Sequence, residues 1–385
     1  MTGPLTGIRV IELAGIGPAP FCAMLLGDLG AEVIRIDRPS HSRSGLPAPL
    51  SNLQGRNKRS LVLDLKHPDG AEIVLALVET ADVLIEGYRP GVAERLGIGP
   101  DECRTRNPRL VYGRMTGWGR EGPLANRAGH DINYIGLAGA LHPIGRAGER
   151  PVPPLNLVGD YGGGALYLAM GILASLVERS RSGTGDVVDA AMVDGAASLM
   201  LPAYEMLAHG VWSDERGSNL LDGASPFYDT YEASDGKYLA VGAIETDFFA
   251  EFLKGLGLDH ENLPPQFDAT GWRDLKETIG AVIATRTRDE WAEVFADTDA
   301  CVTPVLSMSE APEHPHNRIR ETFIEVGGIV EPAPAPRFAR SATTRPEPPA
   351  RVGADSRELL VELGFDDERI EKLISSGAVQ WDTET

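Results

Sequence analysis

The sequence predicts an α/β protein of two domains, the larger a parallel sheet with helices on both faces and the smaller of α+β type. Three observations predict it. Short β-branched runs alternate with helical patterns from residue 8 to residue 115, the order that βαβ units write into a chain. The 385 residues exceed what one hydrophobic core organises. Past Ser225 a strand–turn–strand pattern takes over, which marks a second core.

The elements follow in order. IRVIELA is a strand and PAPFCAMLLGDLG a helix; EVIRID and SLVLDL are strands, HPDGAEIVLALVETA a helix, and DVLIEGY and RLVYGRM two further strands. Lys66-His67-Pro68-Asp69 opens a helix, with proline in the first turn where its missing N–H is no loss. After Asp160 the run YGGGALYLAMGILASLVERS is apolar nearly all round, which predicts a helix buried between domains or subunits. FYDTYEASDGKYLAVGAIE gives two strands around the turn Ser234-Asp235-Gly236, with helices over 246–256 and 272–297. Residues 331–350 are too proline-rich for either element and read as an extended connection. DSRELLVELGFDDERIEKLIS then gives two short helices. The implied organisation is a large domain over 1–190, a linker over 191–224, a small domain over 225–320, a returning linker over 321–350, and C-terminal helices over 351–385 packing on the large domain.

A formal net charge of -20 repels polyanions, so nucleic acid is not expected as a partner. Cations nevertheless gather locally: Arg35, Arg38, Arg43, Arg56, Lys58, Arg59 and Lys66 outnumber Asp37 and Asp64. They read either as a phosphate site or as scattered solvated charges. Cys22, Cys103 and Cys301 are far apart and fit no zinc or disulfide pattern, so no metal is expected and a reducing cytoplasm is. No leader, membrane span or C-terminal address is read in the sequence.

Gly15-Ile16-Gly17-Pro18 follows a strand and opens a helix, with Asp37 closing the next strand. It imitates a dinucleotide fingerprint. Its third glycine is missing, and Pro18 and Pro20 withdraw N–H donors that a pyrophosphate would need. There is no Walker loop, H-E-x-x-H or G-x-S-x-G elbow. Ionisable residues at element boundaries remain. His130, in Gly129-His130-Asp131-Ile132-Asn133-Tyr134, stands near a helix N-terminus and can cap, pack or move a proton. Asp160 precedes three glycines at the start of the long helix; it is an N-cap or a catalyst, and the glycines would let a ligand reach the backbone. Glu245 closes a strand before a helix and has the same two readings. Arg89, after the strand DVLIEG, lies on the usual ligand side of an open α/β sheet.

These segments resemble the α-methylacyl-CoA racemase branch of the family III CoA-transferase superfamily over nearly the whole chain. GIRVIELAGIGPAP, IEGYRPGV and RMTGWGREGP carry the superfamily likeness; AGHDINY, PLNLVGDYGGG and VGAIE carry the racemase branch. The C-terminal helices are more like the transferases' ending. The resemblance implies a Rossmann-like large domain and a ring-like subunit that forms an interlocked homodimer. It implies that acyl-CoA is the substrate and that no separate cofactor is used. CoA is then expected against Arg38, Leu63, Asp64, Leu65, Lys66, Gly87, Tyr88, Arg89, Arg95, Gly129, Asp131, Ile132, Asn133 and Tyr134. Catalysis is expected from His130, possible support from Glu245 included, on one face of the α-carbon and from Asp160 on the other, with backbone N–H groups around Asp160 stabilising the enolate oxygen at about 3 kcal/mol per donor. The rival within the superfamily is CoA transfer, with Asp160 as nucleophile.

Overall fold

The computed structural model describes residues 2–39 and 54–380; Arg43 of the cationic cluster and Trp381–Thr385 lie outside the described residues. The chain divides into two compact units, Met1–Ala138 with Leu155–Leu199 and Glu321–Thr385, and Gly139–Pro154 with Met200–Arg320. The stretch 139–154, assigned from sequence to the large domain, groups with the second unit. Its Arg146 bonds the nearly buried Asp229 and Thr230 of that unit.

In the first unit, β1 (Arg9–Leu13), β2 (Glu32–Asp37), β3 (Lys58–Leu63), β4 (Val83–Glu86), β5 (Val111–Thr116), β6 (Val187–Ala191) and β12 (Val379–Gln380) form one sheet in the order β12-β3-β2-β1-β4-β5-β6. All neighbours run parallel except β12 on β3. The chain moves outward from β1 first through β2 and β3, then on the other side through β4, β5 and β6. The crevice between β1 and β4 is therefore the topological switch point, where open α/β sheets bind their ligands.

Both faces are covered, so apolar residues of these strands point to both sides of the sheet. On one face Ile11, Leu13, Ile34 and Leu61 pack with α2 (Pro68–Val78), α13 (Ser356–Glu362) and α14 (Asp367–Ser375). On the other, Val10, Val33, Val83 and Ile85 pack with α1 (Pro18–Asp28) and α6 (Leu166–Ser182). The short helices α3 (Val92–Arg95), α4 (Pro100–Arg106), α5 (Asp131–Leu137) and α7 (Met192–Leu199) and the hairpin β10 (Phe323–Val326) with β11 (Ile329–Pro332) complete the unit. The hairpin takes the first two residues of the expected proline-rich connection.

Four cations of the cluster are held in ion pairs. Arg35 pairs with Asp37, Arg56 with Asp28, Lys58 with Glu12 and Arg59 with Glu32. Arg35, Arg56 and Lys58 are themselves buried. These cations fasten strands to their surroundings, and only Arg38 and Lys66 among the described members face outward.

The long helix is buried on one side within this chain. Leu168, Ala169 and Ile172 are buried against the sheet, but Leu166, Met170 and Val177 stand 52%, 59% and 63% exposed. The stretch Leu157–Ser182 is long and apolar enough to cross a membrane. Its packing on the sheet and the Arg179–Asp82 ion pair at its far end make it a core helix of this unit.

The outer edge of β3 is closed by the chain's last segment. Ser60 N–H donates to Asp355 Oδ2, Val62 N–H to Ser356 Oγ and Asp64 N–H to Ala378 O. Alternate outward N–H groups of an edge strand thus each find an acceptor.

The second unit packs α8 (Leu201–Ala208), the three-stranded antiparallel sheet of β7 (Tyr228–Glu232), β8 (Tyr238–Gly242) and β9 (Val302–Pro304), and helices α9 (Thr246–Leu256), α10 (Trp272–Ile283), α11 (Arg288–Phe295) and α12 (Pro315–Arg320). The helical stretch expected over 272–297 is two helices in the structure. Thr287 accepts from Glu290 N–H and Glu290 caps it in return, a box that starts a new helix.

Candidate active site

A cavity of about 630 Å³ opens at the switch point and is lined by residues of the first unit alone. The ends of β1, β4 and β5 supply its floor through Gly15–Pro20, Gly87–Pro90 and Met115–Trp118. His130 and Asp160 both line it. The Gly15-Ile16-Gly17-Pro18 turn, suspect from sequence as a dinucleotide loop, is a wall of this cavity. Gly17 has φ 76°, open to glycine without strain, and a Cβ there would lie 3.3 Å from Asp160 Oδ2.

His130 is the residue before α5, in extended conformation, and its N–H donates to Asn133 Oδ1 at 3.0 Å. Its exposed side chain reaches the cavity from the mouth of that helix. Tyr134 fixes the approach: its hydroxyl donates to Gly129 O, and its ring stands edge-on to Trp118 at 4.7 Å. Side chains at Gly117 or Gly129 would collide with that ring, so both glycines are there for close approach. Burial, and secondarily the Asp160 charge, push the Tyr134 hydroxyl up to about 12, so it stays a neutral donor.

Asp160 is not an N-cap. It sits inside a wide π-helical turn, Leu157–Ala165, that runs directly into α6. Such turns concentrate at functional sites because they displace a side chain from regular helical register. Asn156 Nδ2 donates to Asp160 Oδ2 at 3.1 Å. Burial raises the Asp160 carboxyl above its ordinary value; the Asn156 bond opposes this, the Asp131 charge adds to it and His130 again opposes it.

The three glycines after Asp160 serve packing. A Cβ on Gly163 would meet Ala196 N at 2.5 Å, and one on Gly164 would meet Met192 Cγ at 2.9 Å. Across the contact, a Cβ on Gly195 of α7 would lie 1.8 Å from Gly163 O. The backbones touch, which leaves no room for a ligand between them.

The backbone donors expected to face an enolate are also engaged. Gly159 N–H and Asp160 N–H both donate to Asp131 Oδ2, each at 2.7 Å. Asp131, expected against CoA, is buried and ties the start of α5 to the π-turn. Among the described residues, the N–H groups of Asp131 and Ile132 at the start of α5 have no acceptor. They follow His130 directly in the chain.

Of the residues expected to hold CoA, Gly87, Tyr88, Arg89, Gly129 and Tyr134 line the cavity. Arg38 lies over the Tyr88 ring at 5.4 Å. Leu63 and Leu65 are buried core, Asp64 Oδ1 accepts Lys66 N–H, and Lys66 and Arg95 are exposed. Ile132 and Asn133 are exposed on α5. Glu245 belongs to the second unit, where it is the exposed residue preceding α9 and its charge acts on the Cys301 thiol. Gln54, Arg127, Asn156 and Tyr161 also line the cavity, with Gln54 Nε2 donating to Tyr161 Oη at 2.8 Å. No motif singles out Gln54 or Arg127; Asn156 and Tyr161 could have been read as the partners one turn before and one residue after Asp160.

Among the described residues no cluster of His, Cys, Asp and Glu could hold a metal. The arrangement instead offers an imidazole and a partly buried carboxylate in one cavity, with unpaired helix N–H groups beside them. That set can remove a proton from a weak carbon acid and return one.

The model of the family described as CoA-transferase family III matches residues 5–356. The chain is 46% identical to the α-methylacyl-CoA racemase of Mus musculus over 98% of each chain. It is 45% identical to that of Homo sapiens, over 98% of this chain and 97% of the other. Among solved structures, a CAIB/BAIF family protein from Brucella suis superposes with a TM-score of 0.82 at 25% identity, covering 94% of this chain and 100% of that one.

Proposed function

Because the chain belongs to CoA-transferase family III, we propose that it racemises 2-methylacyl-CoA thioesters by removing the α-proton from one face and returning a proton to the other, through an enolate. The observation that carries the reading is that His130 and Asp160 line the same cavity at the switch point. Inversion at the α-carbon needs a base on one face and an acid on the other. In one direction Asp160 takes the proton and His130 donates; in the other the roles exchange. Negative charge then gathers on the thioester oxygen, and the unpaired N–H groups of Asp131 and Ile132 are preorganised to meet it. CoA lies with its phosphates toward Arg89 and Arg38, where guanidinium groups give charge-assisted bonds. No separate cofactor enters these steps. The test is solvent deuterium: 2-methylacyl-CoA turned over in D2O acquires deuterium at C2, and racemisation with full retention of the α-hydrogen overturns the mechanism. A free carboxylic acid offered as acceptor receives no CoA, whereas exchange of CoA between acids would identify Asp160 as a nucleophile.

Asp160 also sets a pH dependence. A base must be ionised, and burial raises this carboxyl. The acid limb of kcat/KM for the enantiomer that Asp160 deprotonates therefore lies above the ordinary aspartate value of about 3.9. A limb at or below that value, measured with each enantiomer separately, would exclude Asp160 as the base.

The proposal includes a homodimer of interlocked, ring-like subunits in the cytoplasm. Support comes from exposed apolar side chains: Leu166, Met170 and Val177 on α6, and Leu201, Tyr204 and Leu207 on α8. Apolar surface of that extent on a helix is normally covered. Met170→Glu, which puts a charge into the covered face, is expected to shift the mass measured by light scattering from dimer to monomer. The free thiols of Cys22 and Cys103, both buried, fit a reducing compartment.

A further inference from the structure

We infer that Glu86 and Arg114 are positioning residues that set the Tyr88–Arg89 corner of the cavity, an inference that rests on the acyl-CoA reading of that cavity. The two face each other across β4 and β5, with side chains 5% and 5% exposed. Arg114 Nε donates to Glu86 Oε1 at 3.0 Å. The second carboxylate oxygen, Glu86 Oε2, accepts the backbone N–H of Tyr88 at 2.6 Å. Tyr88 then carries Arg38 over its ring, and both Tyr88 and Arg89 line the cavity. Glu86 is not itself among the residues that line the cavity.

The arrangement continues away from the site. Arg114 Nη2 donates to Glu94 Oε1 at 2.6 Å, and Arg120 Nη2 reaches the same oxygen at 3.1 Å. Glu94 is on α3, one residue before Arg95. Asp189 of β6 is the register partner of Arg114 on its other side and feels its charge. Arg114 thus joins two carboxylates, from β4 and α3, and lies beside a third on β6. Burying such a set contributes little net stability, because desolvation offsets the attraction. What it contributes is geometry: one end of the set is a backbone N–H at the strand end where the chain turns into the cavity. A carboxylate can accept from Arg114 and from Tyr88 at once, one bond per oxygen. An amide cannot, since one of its two heads is a donor.

Two variants separate placement from simple stability. Glu86→Gln keeps the shape and loses one of the two acceptors. Glu86→Asp keeps the charge beside Arg114 but draws the carboxylate back by one methylene from Tyr88 N–H. Affinity is measured with CoA itself, by calorimetry on the full chain, so it does not depend on turnover. For Glu86→Gln the dissociation constant for CoA and the KM for acyl-CoA are each expected to rise ~10-fold, while kcat stays within ~3-fold. Glu86→Asp is expected to raise KM similarly with a smaller fall in melting temperature. Unchanged CoA affinity and KM in both variants, with melting temperature alone reduced, overturns the inference, as does a fall in kcat at constant KM. If the wild type exchanges no α-proton yet Glu86→Gln weakens CoA binding, the racemase reading fails and the positioning role stands.

Discussion

Asp160→Asn abolishes inversion of 2-methylacyl-CoA in both directions, lowering kcat/KM by about 10³-fold, yet leaves one enantiomer exchanging its α-proton with solvent. His130 can still remove the proton from its own face and return a solvent-derived one there. His130→Gln gives the mirror result, exchange of the other enantiomer only. The two losses would differ because an imidazole and a carboxylate, His130 and Asp160, line the cavity, and chiral analysis with deuterium counting at C2 reads both. If each variant exchanges both enantiomers, or neither, opposed bases on two faces are not the mechanism. The asparagine variant should also hold its fold. Asn156 Nδ2 still finds an acceptor at position 160. Burial raises the native carboxyl, so its ionised form is disfavoured in the folded state. A raised folded-state value means folding binds the proton more tightly, so this group's contribution falls as pH rises through its folded-state titration. Asp160→Asn is therefore expected to melt at or above the wild-type temperature at pH 7, with any gain disappearing at acid pH.

Gly195→Ala is expected to be the most damaging single methyl in the first unit. The added carbon would lie 1.8 Å from Gly163 O and 2.6 Å from its carbonyl carbon, backbone atoms that no rotamer change can move aside. Either α7 or the π-turn must shift, and the π-turn carries Asp160. Overpacking of this kind costs about 3 kcal/mol, and a displacement on the order of 1 Å at a reacting group costs about 10²-fold in rate. Gly280→Ala in α10 is the control, because its Cβ would find only Tyr231 Cδ1 at 3.8 Å. Replacing an interior helical glycine there should stabilise by up to about 1 kcal/mol. Similar melting temperatures for the two variants would show that the α7 contact can yield.

The strands that build the site were legible in the sequence because short β-branched runs recur between helical patterns, as in Val10-Ile11, Val33-Ile34 and Val83-Leu84-Ile85. β6 hides because Asp189 interrupts it, facing Arg114 rather than a core. β12 is two residues long, too short for any periodicity. The cationic cluster misleads for a different reason. Composition counts charges, whereas the acids that neutralise Arg56 and Lys58, Asp28 and Glu12, come from earlier parts of the chain and meet them only through the sheet. His130 and Asp160 stood out at element boundaries, but their sharing one cavity is a property of strand order. The triple glycine shows the limit most plainly: absence of side chains reads equally as access for a ligand or as access for another helix, and only the partner, Gly195, decides.

The closure of the β3 edge by Asp355, Ser356 and Ala378 bears on how the chain emerges from the ribosome. The second unit is complete once residue 320 is out, while the first must wait for the segment that reaches Ala378. Until then a strand flank with open amides is exposed to any neighbouring nascent chain. A stop codon a few dozen codons early would leave that flank permanently adhesive, so truncated copies should collect in inclusion bodies even though every residue of the cavity has been made.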